Sequence, residues 1–342
     1  MELDASFQRS KILAQKNPQS GFDVQLTLDL DVQRAVETAF GDRAGVVVAL
    51  NPNDGSVVAL LSRASGTNGE TGSTAPTINS TGVSSGNTGS ALAKSTTNLA
   101  LVGDQPGLML QPLLALIGLE SGQLKSRSGD SPTLLVNPRR RAGLPSFTDW
   151  QLDPAPWTLA QALQTSLKDD LGEAIEAKTG TNSTQPASSL NPTRMAERDL
   201  NRRLSLAFWE TLAQSIAPDD LLHWLQRFGF GGKTGFELAQ DETGSTDLTS
   251  LANTLRDRSR WYAIEKVETI LGRGDLRVSP LQLTQALAVL ANGGVRIQPH
   301  VVQGNGARSR RERLDLSQSH LALLRASLAL SLIHISEPTR PY

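Results

Sequence analysis

A strand–turn–strand unit near the beginning of the chain constrains the fold most. Gly45-Val-Val-Val-Ala-Leu50 is a continuous β-branched run, Asn51-Pro-Asn-Asp-Gly55 is a cluster of turn formers, and Ser56 to Leu61 is a second apolar run. β-branched residues suit a pleated backbone, and a five-residue connection ending in Asp-Gly closes such a pair as an antiparallel hairpin. The unbroken apolar character of the first run predicts a buried strand. Just upstream, Val24-Gln-Leu-Thr-Leu28 alternates as a strand does. Asp29 is then placed to cap a helix over Asp31 to Phe40, where Val32, Ala35, Val36 and Ala39 recur at helical spacing.

Beyond the hairpin the apolar period lengthens to that of helices. Pro112 to Leu119 reads as a helix with proline in its first turn. Thr158 to Leu171 is amphipathic, with Leu159, Ala162, Leu163 and Leu167 on one face. Leu204 to Ala217 and Asp219 to Phe228 continue the pattern, with Asp219 expected to cap the second. Ser279-Pro280 opens the clearest helix, whose stripe is Leu281, Leu283, Ala286, Leu287 and Leu290 and whose stop is Asn292-Gly293-Gly294. A last helix covers Ser317 to Leu330. Polar stretches separate these elements: Ser65 to Ser90, Ser126 to Asp153 with Arg139-Arg140-Arg141, and Asn182 to Asn201. The run Arg308 to Arg313 reads as a solvated surface turn. A hairpin followed by helices, without βαβ alternation, predicts an α+β fold.

Composition narrows the chemistry. Lys plus Arg number 33 against 34 Asp plus Glu, so no excess of positive charge favours nucleic acid. The chain has no cysteine, which removes disulfides, thiolate metal sites and cysteine nucleophiles. Its four histidines, His223, His300, His320 and His334, are scattered without metal-ligand spacing. No cofactor is expected.

Three ordered blocks carry a resemblance. The first is Gly21-Phe-Asp-Val-Gln-Leu-Thr-Leu-Asp29 with Gln33 and Gly45 to Leu61. The second is Phe228-Gly-Phe-Gly231 followed by Thr234-Gly235. The third is Gly272-Arg-Gly274, Ser279-Pro-Leu-Gln-Leu283 and Ala291-Asn-Gly-Gly294, with Pro299 following. In order and spacing they resemble the transpeptidase domain of penicillin-binding proteins, of the class B kind. The resemblance implies the penicillin-binding protein/serine β-lactamase-like fold, an antiparallel sheet with a helical subdomain, here C-terminally truncated.

The family's acyl-transfer chemistry, as the resemblance implies it, needs a serine three residues before a lysine at the start of a buried helix, a Ser-x-Asn, and a Lys-Thr-Gly on an edge strand. Asn98-Leu-Ala100 and Gln105-Pro-Gly107 resemble the lead-in to the first of these, and the next residues are Leu108-Met-Leu-Gln111. Leu108 thus stands in the nucleophile's position and Gln111 in that of the base. Leucine carries no nucleophile, and an amide takes no proton near neutral pH. None of the eight lysines, Lys11, Lys16, Lys94, Lys125, Lys168, Lys178, Lys233 and Lys266, has a serine three residues earlier; Thr165 before Lys168 is the one hydroxyl so placed. The serine of the second motif falls at Ser166, within Leu159 to Lys168, or alternatively at Ser205-Leu-Ala207; neither placement keeps the asparagine. Lys178-Thr-Gly180 follows a helix-like stretch and Lys233-Thr-Gly235 belongs to the second block, so neither reads as the edge-strand motif.

The expected organisation is a linker remnant over 1–20, a transpeptidase-like domain over 21–330 with polar inserts near 64–98, 126–153 and 178–203, and a tail over 331–342. The tail, Ser-Leu-Ile-His-Ile-Ser-Glu-Pro-Thr-Arg-Pro-Tyr, resembles the translation of a sequencing adapter and is expected to carry no function. The chain is read as an internal fragment. The resemblance implies a role in peptidoglycan synthesis as a pseudoenzyme. The alternative is an active D,D-transpeptidase or carboxypeptidase using a nonstandard serine such as Ser95 or Ser166. Implied partners are peptidoglycan stem peptides or cell-wall synthesis proteins, without nucleic acid, and β-lactam acylation is not expected. The implied location is the outer, periplasmic face of the cytoplasmic membrane, on an anchor this stretch does not contain.

Overall fold

A computed structural model describes residues 2–3, 9–11, 21–63, 98–125, 130–136, 155–166, 192–238, 245–256, 267–304 and 310–336. Glu2–Leu3 (β1) and Arg9–Lys11 (β2) form a short antiparallel pair. The helix Leu30–Phe40 (α1) follows. Asp29 caps it as expected, its carboxylate accepting from the amides of Asp31 at 2.9 Å and Val32 at 3.1 Å. The apolar stripe of α1 is not buried, however, and Val32 is 38% exposed. A polar contact docks the helix instead: the Gln33 amide donates to the Leu60 carbonyl (3.2 Å) and accepts from its N–H (3.0 Å).

The hairpin forms where expected. Gly45–Leu50 (β3) pairs antiparallel with Val57–Arg63 (β4), Val48 facing Leu60. The turn is held by Asn51, which accepts the Asn53 amide (3.0 Å), and by Asp54, which accepts both the amide and the hydroxyl of Ser56 (2.8 and 2.7 Å). Gly55 has φ +84°, and a Cβ there would lie 2.6 Å from the Gln298 carbonyl oxygen, so both conformation and space require glycine. β3 is half-buried along its whole length, not buried as the apolar run suggested. Among the described residues its cover is a helix and one 3₁₀ turn. Nor does Val24–Leu28 become a strand. The segment divides its bonds between two neighbours, Thr27 N–H donating to the Val301 carbonyl and Asp29 N–H to that of Val58, so Leu26 makes only an isolated bridge with Val302.

The 3₁₀ turns Leu99–Leu101 and Gly107–Leu110 lead into helix Gln111–Glu120 (α2), with Pro112 in its first turn. Leu113, Leu114, Leu116, Ile117 and Leu119 are all buried, so α2 is apolar on every side and forms the centre of the larger core. Fully burying each such leucine stabilises by about 1.5–3 kcal/mol before the entropic cost of ordering it. Thr133–Val136 (β5), inside a stretch the sequence presents as merely polar, pairs antiparallel with Ala155–Thr158 (β6) just beyond it. Helix 159–166 (α3) follows. Pro192–Ser215 (α4) also begins within a stretch read as irregular.

Pro218–Phe228 (α5) is capped by Ala217 through backbone alone, and Asp219 sits inside the first turn, favourable to the helix dipole but not the expected cap. Leu248–Arg256 (α6) precedes Pro280–Asn292 (α7). The latter carries the expected capping box, with Ser279 Oγ accepting from Gln282 N–H (3.2 Å) and Ser279 N–H donating to Gln282 Oε1 (2.9 Å). Gly293 and Gly294 end it at φ +90° and +99°. Val295–Ile297 (β7) pairs with Arg311–Arg313 (β8), so the basic run contributes a strand where a turn was expected. Gln318–Ser336 (α8) extends the last helix six residues into the tail. The architecture is α+β, with helices packed on small antiparallel strand pairs. Among the described residues no helix is long and apolar enough to cross a membrane.

Candidate functional site

The approach to α2 is clasped by the third sequence block. Asp104 and Val278 exchange backbone hydrogen bonds (3.0 and 2.9 Å), and Gly107 N–H donates to the Gly272 carbonyl (2.9 Å). The Gln105 side-chain amide donates to the carbonyls of Arg273 (3.0 Å) and Gly274 (2.9 Å). Gly272 has φ +74°, and a Cβ on it would lie 2.7 Å from the Gly107 carbonyl oxygen. That close approach explains why the block begins with glycine: it fixes the backbone one residue before Leu108.

Leu108 lies half-buried in the 3₁₀ turn Gly107–Leu110, and its carbonyl accepts the Gln111 amide. In a 3₁₀ turn side chains three residues apart eclipse one another, so Leu108 and Gln111 share one side of the helix entrance. Gln111 is 3% exposed and makes no side-chain hydrogen bond among the described residues. A nucleophile and base at these two positions would face each other; a leucine and an amide there have no acid–base chemistry.

The two serine placements left open by the sequence meet in space. Ser166, at the described end of α3, lies with its hydroxyl 3.0 Å from that of Ser205 on α4. Ser205 Oγ donates to the Ala162 carbonyl (3.0 Å), and Trp209 Nε1 donates to Ser166 Oγ (3.1 Å). Since the Ser205 hydrogen points to Ala162, Ser166 supplies the hydrogen shared between the serines. Ser205 is buried and Ser166 half-buried, and the Trp209 ring stacks edge-on against Phe208 at 5.3 Å. The arrangement ties α3 to α4. Ser95, Lys168, Lys178 and Arg139 to Arg141 lie outside the described residues.

The second block forms a tight connection after α5. Phe228 is buried, Gly229 takes φ +97°, and Phe230 N–H donates back to the Leu225 carbonyl. The turn is pinned to the segment after β7, where Glu237 accepts the Val301 amide at 3.0 Å. Lys233 thus lies at a turn, as expected, not on an edge strand. Arg296, Gln298 and Glu312, which the sequence did not single out, gather beside it around a cavity. The sequence signal for Arg296 is the alternation of Val295-Arg-Ile297 straight after the glycine stop, and Glu312 lies within the run Arg308 to Arg313.

Residues 203–331 match the penicillin binding protein transpeptidase domain. This segment begins beyond Leu108, Gln111 and Ser166. The peptidoglycan D,D-transpeptidase MrdA of Escherichia coli K12 is 26% identical over 292 residues, covering 83% of this chain and 38% of the relative. The MrdA protein of Acinetobacter baumannii is 25% identical over 310 residues, covering 89% and 38%. The chain therefore spans well under half the length of these relatives. Among solved structures, PBP2 of Pseudomonas aeruginosa in complex with WCK 5153 superposes with a TM-score of 0.59 at 20% identity, covering 92% of this chain and 60% of the other. PBP2 of Helicobacter pylori in complex with MreC gives 0.58 at 18%, covering 99% and 54%. Residues 203–331 thus match the transpeptidase-domain model, and the chain shares the fold of these solved penicillin-binding proteins.

Proposed function

We propose that this chain is the transpeptidase-like part of a cell-wall synthesis protein that keeps the scaffold of acyl transfer without its nucleophile. The observation that carries this reading is the entrance to α2. The backbone hydrogen bond from Gly107 to Gly272 holds the turn that carries Leu108 and leads to the buried Gln111, and in this reading those two residues stand where the family has its serine and lysine. Ser166, the candidate nucleophile among the described residues, spends its hydroxyl on Ser205 and Trp209. In this reading the domain extends over 21–330, the inserts are additions to it and 331–342 contributes nothing. The domain works at the outer face of the cytoplasmic membrane, binding peptidoglycan stem peptides or other cell-wall synthesis proteins. The solved complex of a fold relative with MreC supports the second kind of partner.

The test is intact-mass spectrometry of the folded protein, in its full-length form, after incubation with a β-lactam. No mass gain is expected. A stoichiometric acyl adduct would overturn the proposal in favour of a working D,D-transpeptidase or carboxypeptidase, and mapping it to Ser95 or Ser166 would name the nucleophile.

A further inference from the structure

Two sequence features without a place in acyl transfer converge on one cavity. Lys233-Thr234-Gly235, in the turn after α5, and Arg310, at the entry to β8, line an open space of about 180 Å³ together with Arg296 on β7, Gln285 on α7, Gln298 and Glu312. At roughly 30 Å³ per water, this holds about six water molecules or one small polyatomic ion. Three cations therefore face one carboxylate. Glu312 is held by Arg296, its cross-strand partner, at 2.5 Å. Lys233 and Arg310 make no ion pair with a described residue, so the lining keeps a positive excess.

The lining is fixed by its surroundings. Gln285 is buried and donates to the Ile297 carbonyl (2.9 Å), while the Gln298 amide donates to the Gly235 carbonyl. Two glycines make the room. A Cβ on Gly229 would lie 2.9 Å from Arg296 Nη1, and one on Gly235 2.7 Å from Gln298 Nε2; both have positive φ. Charges arriving from a turn, a strand and a strand entry surround a tetrahedral group better than a planar one. Guanidinium and ammonium donors together are also the usual partners of phosphoryl oxygens.

We propose that this cavity binds a phosphoryl oxyanion, contributed by free phosphate or by an anionic lipid headgroup. The site is independent of the reading of the transpeptidase-like entrance. The test titrates the folded protein with inorganic phosphate by calorimetry at constant ionic strength, with sodium acetate as the planar monoanion. Saturable phosphate binding is expected, weakened about tenfold, the loss of one charge-assisted contact, by each of Lys233→Met and Arg310→Gln. Arg311→Gln, on β8 but outside the cavity lining, should leave it unchanged. Co-sedimentation with phosphatidylglycerol vesicles separates the sources. Capture that is lost in K233M and competed by phosphate assigns a headgroup, whereas phosphate binding without capture assigns the free ion. Absence of saturable phosphate binding, equal binding of acetate, or equal weakening by R311Q would each overturn the proposal. Circular dichroism confirms that the variants are folded.

Discussion

Ser166 and Ser205, thirty-nine residues apart, share a hydrogen bond of 3.0 Å that closes a relay from Trp209 Nε1 through both hydroxyls to the Ala162 carbonyl. Every hydroxyl hydrogen in that relay has an acceptor, so the serines act as a strut between two helices. Ser166→Ala would leave the Trp209 N–H without its acceptor. The expected cost is about 1–3 kcal/mol, the desolvation of an unmade hydrogen bond, read as a lower midpoint in urea unfolding. Ser166→Thr, which keeps the hydroxyl, should recover part of it.

The clasp at the entrance to α2 makes a steric prediction. Gly272→Ala combines a positive φ with a Cβ 2.7 Å from the Gly107 carbonyl oxygen. Gly122→Ala has a similar φ of +73° and nothing within 4 Å. Conformational strain alone costs about 1–2 kcal/mol, so G122A should lose about that much. G272A should lose clearly more, because the backbone must also move. Chemical denaturation of the two variants side by side separates the contributions. Equal losses would show that the clasp yields freely.

Gln111 is buried without a side-chain hydrogen bond among the described residues. Gln111→Leu, close in volume, should therefore be neutral or stabilising by up to about 1 kcal/mol, since no internal bond is lost. Thermal unfolding checks this. A large destabilisation would show that the amide has a partner the protein depends on.

The hairpin turn carries an acid-sensitive contact. Burial acts to raise the Asp54 pKa, but the hydrogen bonds from the Ser56 amide and hydroxyl, with the nearby His300, together hold it below the usual carboxylate value of 3.8. A carboxylate depressed in the folded state stabilises above its unfolded pKa, and that contribution fades as pH falls through the folded value. Asp54→Asn should therefore flatten the decline in melting temperature below about pH 4, while leaving the neutral-pH fold intact. An unchanged acid limb would show that Asp54 takes no part in it.

The elements bounded by their own residues were legible without coordinates. The capping box of Ser279 and Gln282, the stop at Gly293-Gly294, the Asp29 cap and the Asn51–Gly55 turn are made by side chains and backbone a few positions apart. Local chemistry decides them, so the sequence by itself determined where these helices and the hairpin lie. It also determined that leucine and glutamine stand at the mouth of α2. Pairing between distant segments was decided only by the tertiary structure. Thr133–Val136 joins Ala155–Thr158, Arg311–Arg313 leaves its apparent turn to pair with Val295–Ile297, and Ser166 meets Ser205. These contacts depend on which surfaces are brought together by burying Leu113, Leu116 and Ile117 in the core. For the same reason the stripe of α1 misled. A periodic apolar face states that a helix can be buried, but the partner surface decides whether it is, and at α1 that surface is a strand held by Gln33.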